Sequence, residues 1–559
     1  MSEKTLMETT PLDVRAEFGE RNRLRRATVV SSLLAAAALR LVALDRYPTP
    51  LHQDELSDIY DGYSIATTGA DRAGDAWPIL LRGMGPGDYH PGLYAYLAAA
   101  STWFGGFSVW WGRLPAALAG IATVWFVYAT ARRLLGDAGG RLALAFITFS
   151  PIHIQYSRQA HQGACLVPLF VILCTYTCIR AFDRLRSNNR SSPWFSIFLC
   201  GFTLGFSTNC YAGQRLTALL FVFLTLAMIF GTATANRRGW RGAIGVATAF
   251  ILAVAVGAAP QLYAVASEPT HFFARGETTF LRFANGPRWW LETLSANLIA
   301  NLDPRYLFLS FGEYHVLSIA RLGVVMLPFL YVGLLACCAL PFLRRNMNLV
   351  VIPAAIVFSL LPGLATEGQP SPMRTSGVWA LYPIVAAQGA IVLHGLLIGA
   401  LPFIRRSPLP YGRGLAPACI LLAISVNGVW DVQRYLASPS MHAQAAQPQF
   451  RVLGDWVREH GAGYDRIYVA ADGLFGHLYL AAFSGMSSSE YRAATHDGAV
   501  SGLGWDKHTR FGRFFFQPYG RAVEDWSASP QTERWLVLTA EGPLAEFHPR
   551  RLPPLARSD

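Results

Sequence analysis

The chain has 559 residues, of which 52% are hydrophobic and only 15% charged, against about 25% charged in soluble proteins. Its formal net charge is +12, but the cations sit in short clusters between apolar runs and not on one patch. This excludes a soluble enzyme and speaks against nucleic acid as a partner; it is the positive-inside pattern of a multi-pass membrane protein.

Apolar runs near the roughly 20-residue length of a bilayer-crossing helix recur along most of the chain. Basic clusters at 21–26, 132–133, 184–190, 237–241, 344–345 and 405–406, all placed in the cytoplasm, predict about eleven spans. These lie near 28–44, 112–133, 141–157, 161–181, 194–210, 216–233, 242–260, 320–342, 349–364, 376–400 and 414–430, and the first is read as uncleaved. "HPGLYAYLAAASTWFGG", from His90, has an apolar core of about 14 residues, too short to cross. It reads as an interfacial helix on the outer side. The outer side then carries the loops 45–111, 155–163, 208–216, 261–319 and 365–377. Residues 431–559 follow on that side, with a helix in "FRVLGDWVREH" and strands in "DRIYVAA" and "RWLVLTA". The expected architecture is an all-α polytopic membrane bundle over 1–430 with a small C-terminal extracytoplasmic α/β domain over 431–559. The eight cysteines lie in or beside apolar runs without CxxC spacing, so neither a disulfide framework nor structural zinc is expected.

The spans hold almost no charge; Arg40 is the main exception, and His153 and His394 read as packing residues. Transporters and proton pumps usually place ionisable groups at mid-membrane depth. Here they gather at the outer boundary. "LHQDELSDIY" and the next residue supply His52, Asp54, Glu55, Asp58 and Asp61; other loops supply His90, Arg158, His161, Arg215 and Arg374. One carboxylate ringed by cations suits transfer from a phosphate donor. The carboxylate takes a proton from the acceptor, and the cations hold the phosphate as it leaves. Phosphate departs without a second carboxylic acid to protonate it, unlike the leaving group of a glycoside hydrolase. The same residues also admit plainer readings: a solvated start to a loop, or, through His52, Asp54 and Glu55, a divalent-cation site whose spacing is not diagnostic. A flippase of lipid-linked sugars and an idle scaffold remain alternatives, although a flippase needs a polar path that these spans scarcely offer.

The first loop, from "LHQDELSDIYDGY" through "GADRAG" and "DYHPGLYAYL" to "WGRLPAALAG", resembles that of bacterial type-C glycosyltransferases of the protein mannosyltransferase-like (family 39-like) group. "SPIHIQYSRQA", "CYAGQRL", "NLDPRYLFLSFGE" and "SPMRTSGVWALYP" are similar to later segments of that group, so the likeness spans about 28–400. It implies an integral-membrane transferase of the inner membrane, with its N-terminus in the cytoplasm. The enzyme would use a polyprenyl-phosphate sugar as donor, invert the anomeric carbon and serve an extracytoplasmic acceptor. Asp54 matches the catalytic aspartate, with Glu55 its supporting or alternative neighbour. His90, Arg158, Arg215 and Arg374 match donor-phosphate positions, and Tyr89, His161 and Tyr211 are candidates for substrate contact. His90 stands where lysine is common and Gly92 where a second proline is. To hold a phosphate well His90 must be protonated, by an anion such as Asp88 or by the phosphate itself. On this reading Asp54 and Arg158 share one cavity.

Overall fold

The computed structural model describes residues 11–547, apart from 49–50, 86, 187–192, 236–239, 282–284, 310–320, 345–346, 368–369, 401–410, 438–447, 471–474, 495, 501–505, 530–531 and 540–541. The basic clusters at 184–190, 237–241, 344–345 and 405–406 lie partly or wholly outside these residues, as does the end of "NLDPRYLFLSFGE".

Helix α1 (Pro11–Leu41) leads to α2 (Gln53–Thr68), a short hairpin of β1 (Leu80–Arg82) and β2 (Tyr89–Pro91), and α3 (Leu93–Gly105). The bundle continues with α4 (Val109–Thr148), α5 (Pro151–Tyr156), α6 (Gln162–Arg186), α7 (Trp194–Ser207), α8 (Ala212–Ala235) and α9 (Trp240–Gly257). Short helices α10 (Ala259–Ser267), α11 (Pro269–Thr279) and α12 (Pro287–Leu302) precede α13 (Leu327–Arg344), α14 (Val351–Leu364), α15 (Val378–Ala400) and α16 (Tyr411–Ala437). Among the described residues five helices are long and apolar enough to cross a membrane: α4, α6, α8, α9 and α15. Shorter apolar helices cover 194–207, 324–339 and 351–364. This is a helical multi-pass membrane fold.

Each predicted span falls on helix, with two refinements. The spans near 112–133 and 141–157 run together as α4, broken inside by Gly136 at φ 76 and followed after Ser150 by α5. The described part of the loop 261–319 is largely helical: α10, α11 and α12 each begin with proline at the first or second position, where its fixed φ suits a helix start and its missing N–H leaves nothing unpaired. Their weak apolar periodicity hid them from a pattern reading.

Helix α2 is wedged between α3 and α4, and glycines make both approaches possible. A Cβ on Gly62 would lie 2.7 Å from the Ala98 methyl and 2.8 Å from the Ala95 carbonyl of α3. One on Gly112 of α4 would overlap the side chain of Ile59 of α2.

The C-terminal region folds as α17 (Pro448–His460), β3 (Arg466–Val469), α18 (Gly476–Phe483), α19 (Ser488–Ala493), β4 (His496–Val500), β5 (Asp506–Phe511), β6 (Phe514–Phe516), α20 (Tyr519–Ala528), β7 (Trp535–Thr539) and β8 (Gly542–Phe547). Its sheet has the order β4-β5-β6-β3-β7-β8, with β3 parallel to β6 and β7. Alternation along the central strands serves two layers. Ile467, Val469, Phe514, Phe516, Leu536 and Leu538 join the main core, which runs without a break into the helical bundle. Tyr468, Phe515, Trp535 and Val537 pack with Trp526 of α20 on the other face. The predicted helix and both predicted strands appear here as α17, β3 and β7.

Candidate active site

At one end of the bundle a cavity of about 530 Å³ is lined from each of the loops 45–111, 155–163, 208–216, 261–319 and 365–377. Its ionisable lining comprises Asp54, Asp58, Asp88, His90, His161, Arg215, Arg275 and Arg374, with Tyr211 and the aromatic rings of Phe272, Phe273 and Phe280 beside them.

The acidic stretch after the first span is resolved residue by residue. At about 100° of turn per residue, Asp54, Asp58 and Asp61 share one face of α2. His52 caps the helix: its Nδ1 accepts the Asp54 amide at 3.2 Å, and Glu55 completes the reciprocal capping box. Glu55 then turns inward. Arg113 of α4 donates to it from Nε at 2.9 Å and Nη2 at 3.2 Å, and the Ala160 amide donates at 2.9 Å. Asp61 is buried against Arg72, whose guanidinium also donates to Ser57 and to the Arg82 and Gly83 carbonyls of the hairpin. Burial pushes Asp61 up to about 6, although Arg72 opposes the shift. Asp58 faces His90 at 3.2 Å.

That leaves Asp54, whose side chain is 38% exposed, as the accessible carboxylate of α2 on the cavity. The helix N-terminus favours its charged form. Its Oδ2 lies 3.7 Å from His52 Nδ1 and 3.7 Å from His161 Nε2. His161 Nδ1 accepts the Gly163 amide at 3.0 Å, which leaves the proton on the nitrogen that faces Asp54.

The hairpin brings two more groups to the cavity. Burial pulls the His90 imidazolium down, but its hydrogen bond to Asp58 and the charges of Asp58, Asp88 and Asp61 outweigh this, so His90 titrates above the ordinary histidine value. Asp58, and not Asp88, is its direct partner. Asp88 pairs instead with Arg275 of α11 at 3.0 Å.

The opposite wall is cationic. Arg215 lies 3.6 Å from the centre of the Phe272 ring and donates to the Phe272 carbonyl at 2.9 Å, while among the described residues its buried Nε meets no acceptor. Arg374 donates to the Glu367 carbonyl. Burial draws its pKa below the usual guanidinium value, and Arg275 adds to the effect.

Two sequence expectations are corrected. Arg158 does not line the cavity. Its guanidinium is spent on the carbonyls of Leu39, Val42, Ala43 and Tyr47, tying down the end of α1, so Asp54 and Arg158 do not share the cavity. Nor do His52, Asp54 and Glu55 converge on a metal: Glu55 is turned to Arg113 and His52 Nδ1 to a backbone amide. Among the described residues no group of three or more His, Cys, Asp or Glu side chains has metal-holding geometry. Tyr89 stacks on His271 of α11, ring centres 4.0 Å apart, and is not part of the lining. Arg275 and Phe272 were not foreseen; the signal was "HFFARGE", aromatic rings and a cation in one outer loop.

Residues 89–259 match the family described as dolichyl-phosphate-mannose-protein mannosyltransferase. The chain resembles the protein mannosyltransferase-like group. ArnT from Cupriavidus metallidurans, solved bound to undecaprenyl phosphate, superposes with a TM-score of 0.56 at 12% identity, covering 91% of this chain and 92% of that one. The Archaeoglobus fulgidus oligosaccharyltransferase in its apo form gives a TM-score of 0.51 at 12% identity, over 82% of this chain and 64% of that longer one. The same archaeal enzyme, AglB, in complex with an inhibitory peptide and a dolichol-phosphate, gives 0.50 at 12% identity. At such identities the likeness is one of fold: a type-C glycosyltransferase membrane bundle with a C-terminal sheet region. No curated protein matches the chain by sequence.

Proposed function

We propose that this chain is a glycosyltransferase that moves a sugar from a polyprenyl-phosphate carrier to an acceptor at the extracytoplasmic face of a bacterial inner membrane. In this reading the N-terminus is cytoplasmic, and residues 1–430 form the transferase domain beneath an extracytoplasmic domain at 431–559. The observation that carries it is the cavity: separate loops bring one accessible α2 carboxylate opposite arginines that rest on carbonyls and an aromatic ring.

Asp54 takes the proton from the acceptor hydroxyl or amine. The acceptor atom attacks the anomeric carbon as its bond to the phosphate oxygen breaks. The electron pair leaves with the phosphate, whose growing charge is held by Arg215 and Arg374. A single displacement inverts the anomeric carbon. His90, whose charged form Asp58 favours, adds a polar donor on the hairpin side, and His161 holds Asp54 in place. Tyr211, on the cavity wall, contacts the substrate. A divalent cation is optional in this scheme.

The test is turnover by the purified protein in lipid nanodiscs with a panel of labelled undecaprenyl-phosphate sugars and envelope extract as acceptor. Labelled product from wild type and none from a folded Asp54→Asn variant is expected. Full activity in Asp54→Asn would overturn the assignment of the base. Movement of the lipid-linked sugar across vesicles without covalent transfer would point to a flippase.

A further inference from the structure

The C-terminal region has no part in the chemistry above, yet it grips the helix that carries Asp54. Its helix α18 is buried along its whole length. From α18 the Tyr479 hydroxyl donates to the Leu51 carbonyl at 2.7 Å. Leu51 is the residue before the His52 cap, three positions from Asp54. Further along, the Tyr60 hydroxyl of α2 donates to the Met486 carbonyl at 3.1 Å, and Tyr60 packs on Tyr491 with ring centres 5.5 Å apart. Arg492 donates to the Asp71 carbonyl at 3.1 Å and reaches Ser64 Oγ at 3.4 Å. Within α2 itself, Tyr60 and Ser64 lie on a flank about a quarter-turn or more from the face of Asp54, Asp58 and Asp61; Leu51 and Asp71 lie just before and just after the helix.

Tyr479 differs from the others in where it acts. The other contacts hold the body of α2, which α3 and α4 already clamp. The first turn begins with the Leu56 amide bonding to the His52 carbonyl at 3.0 Å. Among the contacts described, the one at the Leu51 carbonyl is the nearest to the start of α2, and to Asp54, that comes from the C-terminal side. Tyr479 is itself 1% exposed, so its hydroxyl faces no competition from solvent.

We propose that Tyr479 is a positioning residue for Asp54, and that the C-terminal region serves the reaction by holding the first turn of α2. This rests on the reading of Asp54 as the base. A general base misplaced by a fraction of an ångström loses rate without losing substrate.

The test is Tyr479→Phe in the full chain, which removes one oxygen and keeps the ring. Hydrogen exchange of the amides at 54–56 should speed up by about two- to ten-fold, the weight of one neutral hydrogen bond. Turnover (kcat) should fall on the order of ten-fold with KM for the donor sugar unchanged. Affinity for undecaprenyl phosphate alone should hold, because Arg215 and Arg374 come from other loops. Tyr60→Phe, about two turns further along α2, should leave exchange at 54–56 as in wild type. Unchanged exchange in Tyr479→Phe, unchanged kcat, or an equal loss of undecaprenyl-phosphate affinity would each overturn the proposal, as would the same first-turn loosening in Tyr60→Phe. A wild type that turns over no donor sinks the functional reading instead, and exchange and lipid affinity then decide the holding contact by themselves.

Discussion

The two walls of the cavity follow opposite electrostatic rules. On and behind the wall made by α2 and the hairpin, acids are matched to cations: Asp58 with His90 on the lining, and Glu55 with Arg113 and Asp61 with Arg72 buried behind it. On the far wall Arg215 and Arg374 make their hydrogen bonds to carbonyl oxygens. A buried charge without its partner is costly, so matched pairs make a rigid scaffold and surplus cations make a seat for an arriving anion. The contrast teaches that a charged residue near a site says little until its partner is known. Arg158 and Arg374 look alike in the sequence, yet one staples α1 and the other faces the cavity.

The comparison breaks most sharply at Asp54. Asp54→Asn should lower turnover by about 10²- to 10⁴-fold, the usual weight of a general base, with the melting temperature unchanged; a rate assay beside a thermal melt checks both. Next in size, Arg215→Ala and Arg374→Ala should each weaken undecaprenyl-phosphate binding by about ten- to a hundred-fold, as for hydrogen bonds to a charged group. Titration of the lipid into nanodiscs measures this, and unaltered binding in both variants would remove the far wall from the phosphate site.

A smaller effect concerns pH. His90 is raised in the folded state by Asp58, so the stability it contributes is fully present below the ordinary histidine value, about 6.5, and is lost as pH rises through its own higher value. His90→Gln should flatten the melting temperature across that window, and a slope identical to wild type would remove the pair from the account. The smallest effect on the site is expected from Arg158→Lys. A lysine cannot span the four carbonyls, so the melting temperature should fall while undecaprenyl-phosphate affinity stays put. A loss of affinity would return Arg158 to the phosphate site.

Much of this was legible beforehand. Each span fell on helix because apolar length alone marks a crossing. Asp54, His90, His161, Tyr211, Arg215 and Arg374 all reach the cavity from loops assigned to one side by the positive-inside pattern. What stayed hidden was pairing. The step from His52 to Glu55 is a capping box, but histidine is not among the usual cap residues, so the cap went unread and a cation site through His52, Asp54 and Glu55 stayed open as an alternative. Glu55 looked equal to Asp54 because nothing local shows that Arg113, fifty-eight residues later, claims it. Strand β6 escaped because it is only three residues long and buried on both faces, and β4, β5 and β8 because their sequences carry no clean alternation of apolar and polar residues.

The fit of α2 between α3 and α4 has a further consequence. With Gly62 against the Ala95 carbonyl and Gly112 against Ile59, the body of the acid-bearing helix is closely held on two sides. On the proposed reading of Asp54 as the base, donor and acceptor must both travel to it. On that reading a change of substrate is easier to evolve in the other loops that line the cavity than in α2 itself.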